Sequence, residues 1–207
     1  MRVLPALATS LCLALMPGTG AAQSGPVVVE LFTSQGCSSC PPADAMIGEL
    51  AAREDVIALA LHVDYWDYIG WADTFAQPAF TARQQGYAHA SGTTLVYTPQ
   101  MVVGGVDRIV GVRPMEVADA IRRHADLPPE ITVAVMALPG GAFRITAEPR
   151  AGAAPGPLEL HLVRFSPHEQ VSIERGENAG READHYNVVR SWAVVATWDG
   201  AGPFETR

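Results

Sequence analysis

The feature that most constrains this chain is a pair of cysteines placed between a predicted buried strand and a predicted helix. The β-branched run Val27–Phe32 is long enough for one buried strand, and a short loop connects it to the motif Cys-Ser-Ser-Cys at 37–40. From Pro41 to Arg53 the apolar residues recur at helical spacing. Because a helix N-terminus carries partial positive charge, it stabilises a thiolate. The pattern therefore predicts a reactive dithiol, with Cys37 as nucleophile and Cys40 as resolving thiol.

The same C-x-x-C motif also occurs in metal sites and in inert disulfides. The chain has no second C-x-x-C to complete a zinc tetrahedron, and no histidine follows Cys40 as a haem-attachment motif requires. A disulfide between the two cysteines closes a loop of about four residues, for which the chain-entropy model gives only about 2 kcal/mol. Reactivity therefore explains the pair better than structural stabilisation does, and metal binding and an inert disulfide stay open as alternatives.

The N-terminal segment predicts export. Arg2 precedes the apolar run Val3–Met16, and small residues follow as far as Ala22, which is the pattern of a cleavable signal peptide over residues 1–22. The apolar run is shorter than the roughly 20 residues that a membrane anchor needs. Cleavage would also remove Cys12 and leave only the two cysteines of the motif. We therefore expect a periplasmic or secreted protein in an oxidising compartment.

Charge and composition exclude some partners. The formal net charge is −8 and no cluster of Lys and Arg stands out, so neither nucleic acid nor an anionic membrane is an expected partner. Charged residues make up 17% and hydrophobic residues 48%, which is enough apolar material for a globular core. The partners expected of a reactive dithiol are protein thiols or disulfides, with no cofactor.

The rest of the chain divides into two patterns. Up to residue 126 strands and helices alternate, and the predicted elements are Val56–Val63, Phe80–Ala90, Gln100–Val103, Arg108–Val112 and Met115–His124. After Pro128-Pro129 the pattern becomes strands separated by turns, at Ile131–Leu138, Phe143–Ala147, Leu158–Phe165, Val171–Glu174 and Val188–Trp198. We therefore expect an α/β domain over residues 26–126 and a small all-β, sandwich-like domain over 130–207.

Three segments carry a resemblance to known proteins. They are the run from Glu30 to Asp44 around the dithiol, the run His62-Val63-Asp64-Tyr65-Trp66, and the run from Arg175 to Arg181. The first hundred residues after the leader resemble the thioredoxin superfamily. The three segments together resemble an uncharacterised family of secreted bacterial thioredoxin-like proteins, which is catalogued as a domain of unknown function. The resemblance implies a thioredoxin-like fold for the α/β domain, and it names no substrate.

Pro99 is the third candidate site residue. The dipeptide Thr98-Pro99 stands just before a predicted buried strand, and X-Pro bonds are the usual place for cis peptides. Its position resembles that of the cis-proline which faces the dithiol in thioredoxin-like folds. We therefore expect a cis bond at Pro99 and a role for this residue in shaping a substrate groove. A trans proline at the end of a loop is the alternative.

Three further features have two interpretations each. The aromatic residues Tyr65, Trp66, Tyr68, Trp71 and Phe75 either form an apolar wall beside the dithiol or pack against the second domain. His62 is either a core histidine or a third ligand beside the two sulfurs, in a Cu(I) site that His185 would also suit. The polar stretch from Arg175 to Arg190 is either a docking or anion-binding loop or a solvated hairpin turn.

These observations leave three hypotheses for the function. The first is an exported thiol–disulfide oxidoreductase that uses Cys37, Cys40 and Pro99. The second is a non-catalytic copper-binding protein that uses the two cysteines with His62 or His185. The third is a partner-binding module that keeps a thioredoxin-like fold and binds through its β domain.

Overall fold

The computed structural model of the protein describes residues 25–153 and 155–207. The predicted leader over residues 1–22 and Cys12 lie outside the described residues. Five strands and three α-helices come first, in the order β1 (Val27–Thr33), α1 (Pro41–Ala51), β2 (Val56–His62), α2 (Pro78–Ala90), β3 (Gln100–Val103), β4 (Asp107–Val110), α3 (Pro114–Ala125) and β5 (Ile131–Ala137). Four more strands follow, namely β6 (Phe143–Pro149), β7 (Leu158–Ile173), β8 (Arg181–Trp198) and β9 (Phe204–Thr206).

The central sheet has six strands in the order β4-β3-β1-β2-β8-β7. Strand β1 runs parallel to β2 and antiparallel to β3, and β3 and β4 form a hairpin. The Gly104-Gly105 turn of that hairpin has positive φ at both residues, a conformation that glycine adopts without a steric penalty. Because β1 lies in the middle of the sheet, the loop that follows it, with both cysteines, emerges from the most buried part of the fold.

Both faces of the central sheet are covered around its strand β1. On one face the fully buried Leu31 and Ile47 pack in the cluster that joins α1 and α3 to the sheet. On the other face Phe32 packs with Phe80 of α2 and with Val189 of β8. Strand β1 is therefore apolar on both sides, which explains why it reads as a continuous hydrophobic run rather than an alternating one.

One charged residue interrupts the apolar pattern of β1. Glu30 is 2% exposed, and its carboxylate accepts hydrogen bonds from Arg83 Nε at 2.6 Å, from Arg83 Nη2 at 2.8 Å and from the Tyr87 hydroxyl at 2.7 Å. The guanidinium of Arg83 also lies 3.8 Å from the ring centroid of Trp192 on β8. The ion pair of Glu30 and Arg83 therefore joins β1 to α2, and the contact of Arg83 with Trp192 joins α2 to β8.

The C-terminal half is arranged differently from the expected separate domain. Strands β7 and β8 form a long hairpin, and β8 extends the central sheet by pairing with β2 at Ala60 and Val188. Strands β5, β6 and β9 form a second, three-stranded sheet. Strands do replace α-helices after Pro128-Pro129, but these strands do not form a sheet system of their own. The sequence could not show this, because a β-strand carries no local signal for which sheet it joins.

Strand β7 is also longer than its sequence pattern predicted. The sequence predicted two strands, Leu158–Phe165 and Val171–Glu174, whereas β7 is continuous from Leu158 to Ile173 and includes Pro167. The strand lies at the edge of the central sheet, where a proline without an N–H is tolerated. None of the helices in the described part of the chain is long and apolar enough to span a membrane.

Candidate functional site

Cys37 and Cys40 form a disulfide at the start of α1, with their Cα atoms 5.4 Å apart. Cys40 is the N-cap residue of the helix, and its carbonyl oxygen accepts the N–H of Ala43 at 2.8 Å and that of Asp44 at 3.1 Å. The two prolines that open α1 have no N–H. Stabilisation of a Cys37 thiolate by free helix N–H groups is therefore smaller than the position of the motif alone suggests.

The disulfide is buried. Both cysteines are 0% exposed, whereas Ser38 and Ser39 between them are exposed. The Ser39 hydroxyl lies 3.4 Å from Cys37 Sγ, and because a disulfide sulfur carries no proton the hydroxyl is the donor. A partner that attacks the disulfide would therefore meet the two serines first and would need an opening above Cys37.

The loop that carries Pro99 lies against the first turn of α1. The Thr98–Pro99 peptide bond is cis, which confirms that expectation. Gly111 brings the two elements together, because a β-carbon added there would lie 2.9 Å from Pro99 Cβ and 3.1 Å from Ala43 Cβ. The N–H of Gly111 also donates to the Pro99 carbonyl oxygen at 2.9 Å. The structure thus places Pro99 beside the helix that begins at Cys40.

The aromatic segment after β2 holds the loops of the dithiol and of the cis-proline together. Trp66 donates its indole N–H to the Thr98 hydroxyl at 2.7 Å, and its Cβ lies 3.3 Å from the position of a β-carbon added at Gly36. Trp71 donates to the side-chain oxygen of Gln35 at 2.8 Å. Trp66 and Trp71 thus lie beside the dithiol loop, whereas Phe75 packs on His185 and Arg190 of the C-terminal half, so each of the two interpretations describes part of the aromatic residues.

The turn between β7 and β8 covers the dithiol from the other side. Asn178 in this turn is 3% exposed, and its amide donates to the carbonyl oxygen of Gln35 at 2.8 Å and to that of Cys37 at 2.9 Å. Gly176 of the same turn packs on Trp71, since an added β-carbon would lie 3.2 Å from Trp71 Cβ. The stretch that the sequence interpreted as a docking loop or a solvated turn is therefore a cover, and Asn178 fastens it to the dithiol loop.

A buried carboxyl group lies one helical turn after Cys40. Asp44 is 7% exposed and accepts a hydrogen bond from the Thr33 hydroxyl at 2.7 Å. Burial raises the pKa of Asp44 from its ordinary 3.8 to about 6, although the nearby His62 and the hydrogen bond from Thr33 act in the opposite direction. Asp44 is therefore poised to exchange a proton near neutral pH, and nothing in its local sequence indicated this.

His62 and Asp73 form a second buried pair behind the dithiol loop. The Oδ2 atom of Asp73 lies 2.7 Å from His62 Nδ1 and also accepts the N–H of Gln35 at 2.7 Å. Burial alone would raise the pKa of Asp73, but His62 and the hydrogen bonds from Gln35 and from the Phe75 N–H lower it below its ordinary value. The ionised Asp73 thus holds the segment that leads into Cys37.

His185 of β8 lies against this pair. Its ring centroid is 4.8 Å from that of His62 in an edge-to-face arrangement, and the residue is 2% exposed. Burial and the neighbouring His62 together lower the pKa of His185 to about 4, although Asp73 and Asp184 act in the opposite direction, so the ring is neutral at physiological pH. Within the described residues neither ring nitrogen of His185, nor His62 Nε2, has a hydrogen-bond partner.

The described residues contain no group of three or more His, Cys, Asp or Glu side chains arranged to hold a metal ion. His62 is a core histidine paired with Asp73, as the first of its two interpretations expected. The sequence did not indicate the roles of Asp44 and Asp73, and it did not show that the side chain of Asn178 is buried. Only Asn178 had any signal, namely the density of polar residues around it.

Comparison with known proteins places the chain in a family. The family model described as a protein of unknown function, DUF1223, matches residues 28–207. The chain belongs to this family. No curated protein matches the chain.

Two solved structures are similar to this member of the DUF1223 family. Protein AGR_C_4864 from Agrobacterium tumefaciens has 32% sequence identity and a TM-score of 0.74, with 89% of this chain and 78% of that chain covered. HBP35 of Porphyromonas gingivalis has 15% identity and a TM-score of 0.59, with 88% of this chain and 63% of that chain covered. The second likeness concerns the fold alone.

Proposed function

We propose that this protein is an exported thiol–disulfide exchange protein with a thioredoxin-like fold, and that Cys37 and Cys40 are its redox pair. The observation that carries the proposal is the disulfide at the start of α1 beside the loop that carries Pro99. The central strands β4-β3-β1-β2, with α1 after β1 and α3 after β4, support the thioredoxin-like assignment. The short loop that the disulfide closes supports reactivity rather than a structural role.

The exchange proceeds in two balanced steps. A substrate thiolate attacks Cys37 Sγ, the bond between the two cysteine sulfurs breaks, and Cys40 leaves as a thiolate that takes up a proton. A second substrate thiolate then attacks the substrate sulfur of the mixed disulfide and releases Cys37. The substrate is oxidised to a disulfide while the protein pair is reduced to two thiols. The reverse sequence reduces a substrate disulfide.

Asp44 suits the role of proton donor and acceptor for Cys40. It lies four residues after Cys40 on the same helix, so both residues are on one face of α1. Because its pKa is about 6, this buried carboxyl group can both bind and release a proton near neutral pH. Because an ionised buried carboxylate costs stability, its presence beside the dithiol is better explained by chemistry than by structure.

The burial of the disulfide sets a condition on the exchange. Cys37 is fully buried, and Asn178 fastens the β7–β8 turn to its carbonyl oxygen. A substrate sulfur has to approach Cys37 Sγ in line with the breaking bond, so a segment that buries this sulfur must move before the attack, and the β7–β8 turn is the candidate. We therefore propose that opening of this turn limits the rate at which the disulfide reacts.

Thiol-exchange assays test this proposal on the purified protein. The reduced protein should reactivate scrambled ribonuclease or reduce insulin, and Cys37→Ser should abolish this activity. Cys40→Ala should trap a mixed disulfide through Cys37, which mass spectrometry identifies in extracts of cells that express the variant. Alkylation of the reduced protein should modify Cys37 before Cys40. Preferential modification of Cys40, or the absence of any exchange by the reduced wild type, would contradict the assignment.

A further inference from the structure

Strand β5 lies at an edge of the three-stranded sheet, which has the order β5-β6-β9. Two hydrogen bonds to residues that flank β6 show which way its backbone points. The Glu130 carbonyl oxygen accepts the N–H of Arg150, and the Leu138 N–H donates to the carbonyl oxygen of Ala142. Because these groups alternate in direction along a strand, the N–H and C=O groups of the odd-numbered residues within Ile131–Ala137 point away from β6. No other described strand pairs with that side of β5.

The edge of β5 lacks the features that usually keep an exposed strand from pairing with another chain. Its sequence, Ile-Thr-Val-Ala-Val-Met-Ala, contains no charged residue and no proline. The other edge strands of the two described sheets have such features, since β4 contains Asp107 and Arg108 and β7 contains Pro167. The fourth edge strand, β9, is three residues long and contains Glu205. Among the described edges β5 is therefore the one suited to accept a further strand.

The side chains of β5 are exposed although most of them are apolar. Val133 is 53% exposed, Val135 is 63% exposed and Met136 is 58% exposed. A run of seven residues with high β-propensity and no charge promotes aggregation when its edge stays free in solution. These properties are those of a strand at an interface rather than of a solvated strand.

A second copy of the same strand fits this edge. In an antiparallel pair with a two-fold axis at Ala134, Val133 lies opposite the partner's Val135, and Ile131 lies opposite the partner's Ala137. These four residues of each copy carry the outward N–H and C=O groups, so each opposed pair exchanges two backbone hydrogen bonds. The same register brings the valines of both copies together on one face of the joined sheet.

The flanking positions and the contact area are also compatible with this pairing. Glu130 falls opposite the partner's Leu138, and Thr132 falls opposite the partner's Met136, so no like charges face each other. Seven paired residues make a contact about 23 Å long, and the edge with the adjoining halves of both faces is about 20 Å wide, so each copy buries roughly 500 Å². The total of roughly 1,000 Å² is at the lower limit for a specific interface, which corresponds to a weak dimer.

We infer that this protein forms a symmetric dimer in which β5 of one copy pairs antiparallel with β5 of a second copy. The two three-stranded sheets then join into one continuous sheet that crosses the dimer axis at Ala134. The inference does not depend on exchange at the disulfide.

Sedimentation equilibrium of the purified protein measures the association, and we expect a monomer–dimer equilibrium with a Kd in the micromolar range. Val135→Lys buries an ammonium group beside the partner's Val133 and should raise this Kd about 100-fold or more. Leu95→Lys is the matched control, because Leu95 is also 63% exposed but lies outside both sheets, and it should leave the Kd unchanged. Val133→Pro removes an outward N–H and no hydrogen bond to β6, so it should weaken the dimer while circular dichroism shows a folded chain.

Cysteine cross-linking tests the register. Ala134→Cys places two thiols across the two-fold axis at a non-hydrogen-bonded pair, where the Cα atoms are about 4.5 Å apart and a disulfide can form. Mild oxidation should therefore give a covalent dimer on a non-reducing gel. In Thr132→Cys the two thiols are four residues apart along the strands, about 14 Å, and should not cross-link. The double variant Thr132→Cys, Met136→Cys brings opposed thiols together and should cross-link.

Several outcomes would overturn the dimer. A chain that stays monomeric at about 200 μM would do so, and so would equal effects of Val135→Lys and Leu95→Lys. Cross-linking of Thr132→Cys as fast as that of Ala134→Cys would exclude the proposed register. In a monomer, slow amide exchange at Val133 would show that another segment of the chain covers the edge instead. None of these measurements involves the disulfide, so absence of thiol exchange would contradict the proposed function and leave the dimer in place.

Discussion

Replacement of Asp44 by asparagine should stabilise the protein at neutral pH and leave its stability almost unchanged near pH 4. In the folded protein burial raises the pKa of this carboxyl group to about 6, whereas in the unfolded chain it keeps its ordinary 3.8. A carboxyl group whose pKa is raised by folding does not lower the free energy of unfolding while it is protonated in both the folded and the unfolded state. Its cost appears as the pH rises from 3.8 and is complete once the pH passes about 6.

The magnitude follows from the size of the shift. A difference of about two pKa units corresponds to about 3 kcal/mol of unfolding free energy at pH 7.5. Asparagine is uncharged at every pH and nearly the same size, and its oxygen can still accept the hydrogen bond from Thr33. The variant should therefore gain about 3 kcal/mol at pH 7.5, or roughly 6–12 °C in Tm for a chain of this size.

Urea unfolding followed by tryptophan fluorescence at pH 4, 6 and 7.5 measures this difference. The variant and the wild type must be compared at each pH, because Asp44 lowers stability as the pH rises whereas His185 lowers it as the pH falls. The pKa of His185, about 4 in the folded protein, lies below the ordinary 6.5, so protonation of this residue lowers the free energy of unfolding as the pH falls from 6.5 towards 4. This loss of stability occurs in both proteins and cancels in their difference. Glu148→Gln serves as the exposed control and should show no change of stability with pH beyond that of the wild type.

A difference that is the same at all three pH values would refute the reasoning, because it would mean that Asp44 is not a buried ionisable group. A variant that is less stable at pH 7.5 would refute it equally. If Asp44 also moves the proton of Cys40, the stabilised variant should exchange disulfides more slowly, and its pH–rate profile should lose the step near pH 6. Higher stability combined with lower activity separates a chemical role from a structural one.

Three further predictions follow from the same contacts. The double variant Cys37→Ser, Cys40→Ser should lose all thiol exchange but unfold cooperatively within a few degrees of the oxidised protein. The reason is that closing the short loop contributes only about 2 kcal/mol, and thermal unfolding followed by circular dichroism measures the difference. Asn178→Ala should be reduced several-fold faster by a water-soluble phosphine than the wild type, because it removes both hydrogen bonds that fasten the turn over Cys37, and an unchanged rate would argue against the cover. Arg83→Met should destabilise the protein by about 3 kcal/mol in urea unfolding, because the buried carboxylate of Glu30 loses its cation and keeps only the hydrogen bond from Tyr87. Arg53→Met at an exposed ion pair should cost less than about 1 kcal/mol.

The sequence by itself determined the local frame of the candidate site. The buried strand β1, the helix that opens at Pro41 and the hairpin at Gly104-Gly105 all follow from patterns within about ten residues. Hydrophobic periodicity and the backbone restrictions of proline and glycine act between chain neighbours, so they can be read without a structure. The cis bond at Pro99 was expected from the resemblance to the cis-proline of thioredoxin-like folds, because most X-Pro bonds are trans and the local sequence does not choose the isomer.

Tertiary structure alone decided how the site is covered and charged. Asn178 reaches the Cys37 carbonyl oxygen across 141 positions of the chain, because β8 pairs with β2 and brings the β7–β8 turn over the dithiol. No local pattern records that pairing, since a strand presents the same alternation to any neighbour.

The ionisation of Asp44 and His185 depends on burial, which is a property of the assembled fold. A carboxylate in an amphipathic helix is usually solvated, and the packing of α1 against β1, β2 and β8 makes this one an exception. The sequence therefore supplied the two cysteines and their place on the chain. The fold supplied the cover and the raised pKa, because both come from residues that meet only when distant strands pair.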